Sequence, residues 1–224
     1  MTKPTNDNKK MRLHCPILLL CERKDIAEFV GAYMRYLFKQ GMNLPNLQII
    51  NLGNLDELPK FLRYVEENED ISALHKIRVL VDAGTSTRQT QLRLETIKNE
   101  SFLASFGDYE YYLFPGKMHT NYWNKGYLED ALVRSLERSS AENAIFENLY
   151  NVTQDFMLSV NSCRGLRKHF DNHSRHLLHA YLAGTEHFVG MSVGEATKAC
   201  AFNLEADDFK SLRKMFEELK NGNN

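Results

Sequence analysis

The sequence predicts an α/β fold, a central, mostly parallel sheet of about four strands flanked by helices, followed by an α-helical C-terminal extension. Three observations predict it. Residues 15–21 form a continuously apolar run, the composition of a strand buried on both faces. Strand-like and helix-like periods then alternate as far as Phe114. Beyond Tyr127 only helical periods remain.

The elements follow in order. After the first strand, Ile26, Phe29, Val30, Tyr33, Met34 and Leu37 recur at spacings of three and four, and Gly41 supplies a stop, so residues 25–40 read as an amphipathic helix. Residues 47–52 are a second strand ending at Gly53, and Leu58, Phe61, Leu62 and Val65 mark a second helix over 55–67. A third strand over 77–81 closes in Asp82-Ala83-Gly84. Residues 85–97 form the next helix, with Ser86 or Thr87 as N-cap. A short aromatic strand over 111–114 is halted by Pro115 and Gly116. Helical patterns over 127–138, 141–160, 164–182, 193–200 and 207–219 complete the chain. The expected division is a lead-in over 1–13, an α/β domain over 14–140 and a helical extension over 141–224 packed on it.

Composition narrows the function classes. Hydrophobic residues make up 43% and charged residues 25% of the 224, which suits a globular protein with a sizeable core. Lys and Arg total 28 against 29 Asp and Glu, so no bulk field draws in a polyanion, and any nucleic-acid contact has to come from a local patch. No apolar run approaches the roughly 20 residues that span a bilayer, which predicts no membrane segment. The polar, basic residues 1–11 lack the apolar stretch of a secretory signal and read as a disordered lead-in. Cys15, Cys21, Cys163 and Cys200 are widely spaced, without a C-x-x-C pair, so a reducing cytoplasm is the expected location. P-loop and dinucleotide-binding motifs are absent.

The chemistry concentrates at strand ends. In parallel sheets ligands sit beyond the carboxyl ends of the strands. Glu22 follows the first strand directly and Asp82 ends the third. Two carboxylates on neighbouring strand ends can share a hard cation such as Mg²⁺ or Mn²⁺, which prefers oxygen ligands. Glu129 is a candidate third ligand if its helix starts at the same edge. Either acid could instead simply cap the helix that follows it. Asp25 suits the positive end of the first helix. Arg23, Lys24, Arg88 and Lys117 stand close enough in sequence to neutralise a phosphate backbone as substrate-binding residues.

These residues resemble a known family. The stretch of residues 18–25, with Glu22 after an apolar strand and before a long helix, resembles the first motif of Toprim domains, the topoisomerase-primase catalytic module. Residues 79–84, Val-Leu-Val-Asp-Ala-Gly, resemble the second, a strand ending in Asp-x-Asp. Gly126-Tyr127-Leu128-Glu129 resembles an element of small stand-alone Toprim-like proteins related to the overcoming-lysogenization-defect nucleases. The likeness extends over residues 17–219, including 180–183, 193–196 and 209–219. It implies a metal-dependent phosphodiester hydrolase acting on nucleic acid, with Glu22 as acid or base and Asp82 as metal ligand. The sequence departs from the pattern twice, with Arg23 in place of the usual Gly and Gly84 in place of the second Asp. Those departures leave open a degenerate, non-catalytic Toprim-like module that binds nucleic acid or a protein partner. An unrelated α/β protein with a small phosphorylated ligand over Gly53 and Gly84 is a third alternative.

Two further features stand outside that resemblance. His169, His173, His176 and His179 share one helical face beside Arg164, Arg167, Lys168 and Arg175, a pattern open to a transition metal, to a phosphate backbone or to plain solvation. Tyr111, Tyr112, Phe114, Tyr122 and Trp123 form an aromatic stretch that fits base stacking or core packing.

Overall fold

Four short apolar runs become four strands, all parallel. They are β1 (Ile17–Cys21), β2 (Leu47–Asn51), β3 (Lys76–Asp82) and β4 (Tyr109–Phe114), in the spatial order β2-β1-β3-β4. The computed structural model describes residues 13–117, 123–139, 144–162 and 173–221. Helices α1 (Lys24–Lys39), α2 (Leu58–Asn68) and α3 (Thr87–Asn99) connect the strands. Then come α4 (Leu128–Ser139), α5 (Ala144–Ser162), α6 (His173–Gly184), α7 (Val193–Lys198) and α8 (Lys210–Asn221).

β1 is buried along its whole length because it is central and covered on both faces. Its alternate side chains divide between two cores. Ile17, Leu19 and Cys21 join α1, α4, α6 and α8 through Phe29, Leu132, Leu178 and Phe216. Leu18 and Leu20 join α2 and α3 through Leu58, Leu62, Leu94 and Ile97. The C-terminal helices therefore share a core with the sheet. Gly194 permits α7 to lie against α1, where a Cβ would overlap the Glu28 side chain.

Residues 1–12 of the expected lead-in and 164–172 of the helix expected over 164–182 lie outside the described residues; elsewhere the expected elements differ at their ends, and two short 3-10 turns, Ile71–Ala73 and Phe102–Ala104, are added. The helix expected over 55–67 begins with a 3-10 turn, Leu55–Glu57, capped by the Asn54 side chain accepting from the Asp56 N–H. That expected over 207–219 begins with a 3-10 turn, Asp207–Phe209. β4 starts two residues earlier than the aromatic run suggests, because the β3 register carries pairing back to Ile77 and Tyr109. Ser86 is the cap of α3, its Oγ accepting from the Gln89 N–H. Among the described residues no helix is long and apolar enough to cross a membrane.

The strand order creates a crevice. From β1 the chain passes through α1 outward to β2, and from β3 through α3 outward to β4 in the opposite sense. Side chains beyond the carboxyl ends of β1 and β3 meet at this reversal of winding, where open α/β sheets place their ligands.

Candidate functional site

Glu22 and Asp82 emerge side by side at that reversal. The Glu22 N–H continues the ladder to Leu80 O at 2.9 Å, and the Glu22 Oε2 accepts the Asp82 N–H at 2.9 Å. Asp82 Oδ1 accepts the Leu128 N–H at 2.8 Å, so the first turn of α4 points its unpaired donors at this carboxylate. Glu129, next in that turn, is 2% exposed.

Glycines hold α4 in place. Gly84 and Gly126 exchange backbone hydrogen bonds, each 2.8 Å, which pins the start of α4 to the loop after β3. Gly84 lies at φ +66 and Gly126 at φ +131, conformations that an L side chain adopts at a cost. Position 84 thus serves here as a backbone brace. Asp130 is part of the same brace, accepting the Tyr127 N–H at 2.7 Å and the Ser174 hydroxyl of α6.

Arg23 fills the centre of the acidic edge. Its Nε donates to Asp82 Oδ2 at 2.7 Å, its Nη2 to Glu129 Oε2 at 2.5 Å and its Nη1 to Asp25 Oδ2 at 2.9 Å. The guanidinium side chain is 20% exposed, and its partners Asp82 and Glu129 are 8% and 2% exposed. A planar fork with donors on three sides suits such a cage of carboxylates better than a lysine would. Burial works to lower the Arg23 pKa, but the charges and hydrogen bonds of Asp82 and Glu129 outweigh it and push the pKa up. Burial drives the Asp82 carboxyl up to about 7; Arg23 pulls it back down, while Glu129 and Glu22 add to the rise.

As arranged, the donor set does not fit a divalent cation. Both Asp82 oxygens and Glu129 Oε2 are taken by Arg23 and Leu128, and Glu22 Oε2 is taken by the Asp82 N–H. Among the described residues no group of three or more His, Cys, Asp or Glu side chains is placed to hold an ion.

The structure thus brings Glu22, Arg23, Asp82 and Glu129 together, in a cleft of about 640 Å³ also lined by Gln89, Thr90, Arg93, Tyr127 and Arg175. The other expected phosphate-binding residues lie elsewhere. Lys24 is exposed and pairs with Glu28 at 3.3 Å. Arg88 is exposed in the first turn of α3, outside the cleft lining. Lys117 lies over the Trp123 ring, 4.5 Å from its centroid, in a separate groove along β4. Arg175, reached from α6, stands 3.9 Å from both Glu129 and Asp25, and Arg93 pairs with Asp56. The sequence signal for Arg175 is the basic face of its helix, but no local pattern connects that face to β1 and β3.

Tyr112 and Phe114 are core residues, with ring centroids 5.1 Å apart. Tyr122 and His169 lie outside the described residues, as does the side chain of His173; His179 is exposed. Comparison with protein-family models, with curated proteins and with solved structures finds no match for this chain.

Proposed function

We infer that this chain is a Toprim-like module that does not turn over substrate, a binding or regulatory protein whose acidic edge is occupied from within by Arg23. The three-way seating of the Arg23 guanidinium on Asp82, Glu129 and Asp25 carries this reading, since it places a fixed cation among the carboxylates that would otherwise gather around a metal. Gly84 supports it, because a position used as a backbone brace at positive φ supplies no second carboxylate. The expected partner is nucleic acid, met by Arg93 and Arg175, which line the cleft and would exchange their carboxylate partners for phosphate. Calorimetry with millimolar Mg²⁺ or Mn²⁺ should register no uptake, while labelled DNA or RNA oligonucleotides bind in the presence of chelator and Arg93→Ala/Arg175→Ala weakens that binding. Metal uptake that Asp82→Asn abolishes would overturn the reading.

One observation favours a second reading, a Mg²⁺- or Mn²⁺-dependent phosphodiester hydrolase acting on nucleic acid. Glu22, Asp25, Asp82 and Glu129 outnumber Arg23, with Arg175 at 3.9 Å as the next cation, so the edge retains a surplus of negative charge. Activity of this kind requires Arg23 to leave the cage. Its signature is metal-dependent cleavage of DNA or RNA that vanishes in Glu22→Gln and Asp82→Asn; equal residual cleavage in wild type and both variants excludes it.

A further inference from the structure

The outer edge of β4 has no strand beside it among the described residues. Its sequence, Tyr-Glu-Tyr-Tyr-Leu-Phe, is rich in strand-forming aromatics and holds a single charge and no proline. Edge strands left open to water usually carry lysines, prolines or bulges that discourage pairing. The β3 register and the bonds from Ile77 N to Asp108 O and from Ala83 N to Phe114 O turn the even-numbered backbone groups inward. The N–H and C=O groups of Tyr109 and Tyr111 therefore face outward, as does the N–H of Leu113.

This edge is the floor of a groove of about 560 Å³ between α3 and α8. Both helices run antiparallel to the strands. α3 leaves the carboxyl end of β3 and returns to the start of β4, so Glu95 lies nearer the carboxyl end of the edge and Lys98, over the Tyr109 ring, nearer its amino end. On α8, Ser211 meets the Lys117 N–H at the carboxyl end, while the Glu218 carbonyl meets Lys76 at the amino end of the sheet. Lys214 thus lies toward the carboxyl end and Glu218 toward the amino end. Each wall carries one acid and one base, one helical turn apart and in opposite order along the edge.

That charge pattern is its own complement under a two-fold axis. Rotation about an axis through Tyr111 sets the amino half of one edge against the carboxyl half of another, as in any isologous contact. Glu95 of one copy then faces Lys98 of the other on one wall, and Lys214 faces Glu218 on the opposite wall. A base stacking on Trp123 is a poorer occupant, because Tyr112 packs edge-on against that ring and Lys117 lies over it.

We propose that a second copy of this chain docks here, the two β4 strands pairing antiparallel through Tyr109 and Tyr111 to make one continuous sheet across the dimer. Sedimentation velocity of the full chain from micromolar upward tests this. Wild type should show a concentration-dependent dimer. Glu95→Lys should weaken it roughly tenfold, since the two-fold repeats each like-charge contact. The exchange Glu95→Lys/Lys98→Glu should restore the wild-type constant, and Lys214→Glu alone or exchanged with Glu218→Lys should behave in the same way. A monomer at every concentration, a dimer indifferent to Glu95→Lys, or an exchange that does not restore the dimer would overturn the proposal.

Discussion

Replacing Arg23 by Ala leaves Asp82 and Glu129, which are 8% and 2% exposed in the wild-type chain, without the cation they share. Removing one partner from a buried ion pair costs about 3–5 kcal/mol, because the remaining charge stays out of water. The upper half of that range is expected here, since two nearly buried carboxylates lose the same partner. The lost capping contribution is small, as the Arg23 side chain makes no cap hydrogen bond to α1. At about 2–4 °C per kcal/mol for a chain of this size, the melting temperature should fall by roughly 8–20 °C. Thermal and urea unfolding in chelator measure this. A divalent ion should then recover part of the loss in the variant alone, about 2.7 kcal/mol at a free concentration 100 times its dissociation constant. A loss under about 1 kcal/mol, or equal stabilisation of wild type and variant by Mn²⁺, would refute the cage of carboxylates around Arg23.

Two further outcomes follow from the same geometry. The folded-state pKa of Asp82, about 7, lies above its unfolded value, so the folded chain binds more protons in between and its stability falls as pH rises through that window. Arg23→Ala removes the downward pull on Asp82, so the fall continues to higher pH, and the stability gap from wild type should be wider at about pH 8 than at about pH 6; chemical unfolding across that range checks the sign. Gly126→Ala would bring a Cβ onto the Asp130 carboxylate and within 3.3 Å of Pro115 at φ +131. It should cost about 1–3 kcal/mol in urea unfolding and loosen the bridge to Gly84.

The fold was legible where a single physical signal dominated. β1 announced itself because a strand covered on both faces has no polar side to hide. The edge position of Glu22 and Asp82 followed, since one comes directly after a strand, the other ends one, and parallel strands share one carboxyl edge. Arg23 was not legible as the partner of those acids. From sequence it is a basic residue on a loop, and only the pairing of β1 with β3, together with the Gly84–Gly126 brace that sets α4, puts three carboxylates within reach of one guanidinium. Arg175 and Arg93 were hidden for the same reason, being brought to the cleft by packing of α6 and α3 rather than by any local spacing. Lys117 follows the aromatic strand closely in sequence, and the turn after Phe114 leaves it in the groove along β4 rather than in the cleft with Glu22 and Asp82.

The most direct measurement is a crystal soaked in Mn²⁺ and read for anomalous density beyond the carboxyl ends of β1 and β3. The expected result is no manganese peak among Glu22, Asp82 and Glu129, with the Arg23 guanidinium in its three-way seat. A peak bridging those carboxylates, with Arg23 turned out to solvent, would contradict it.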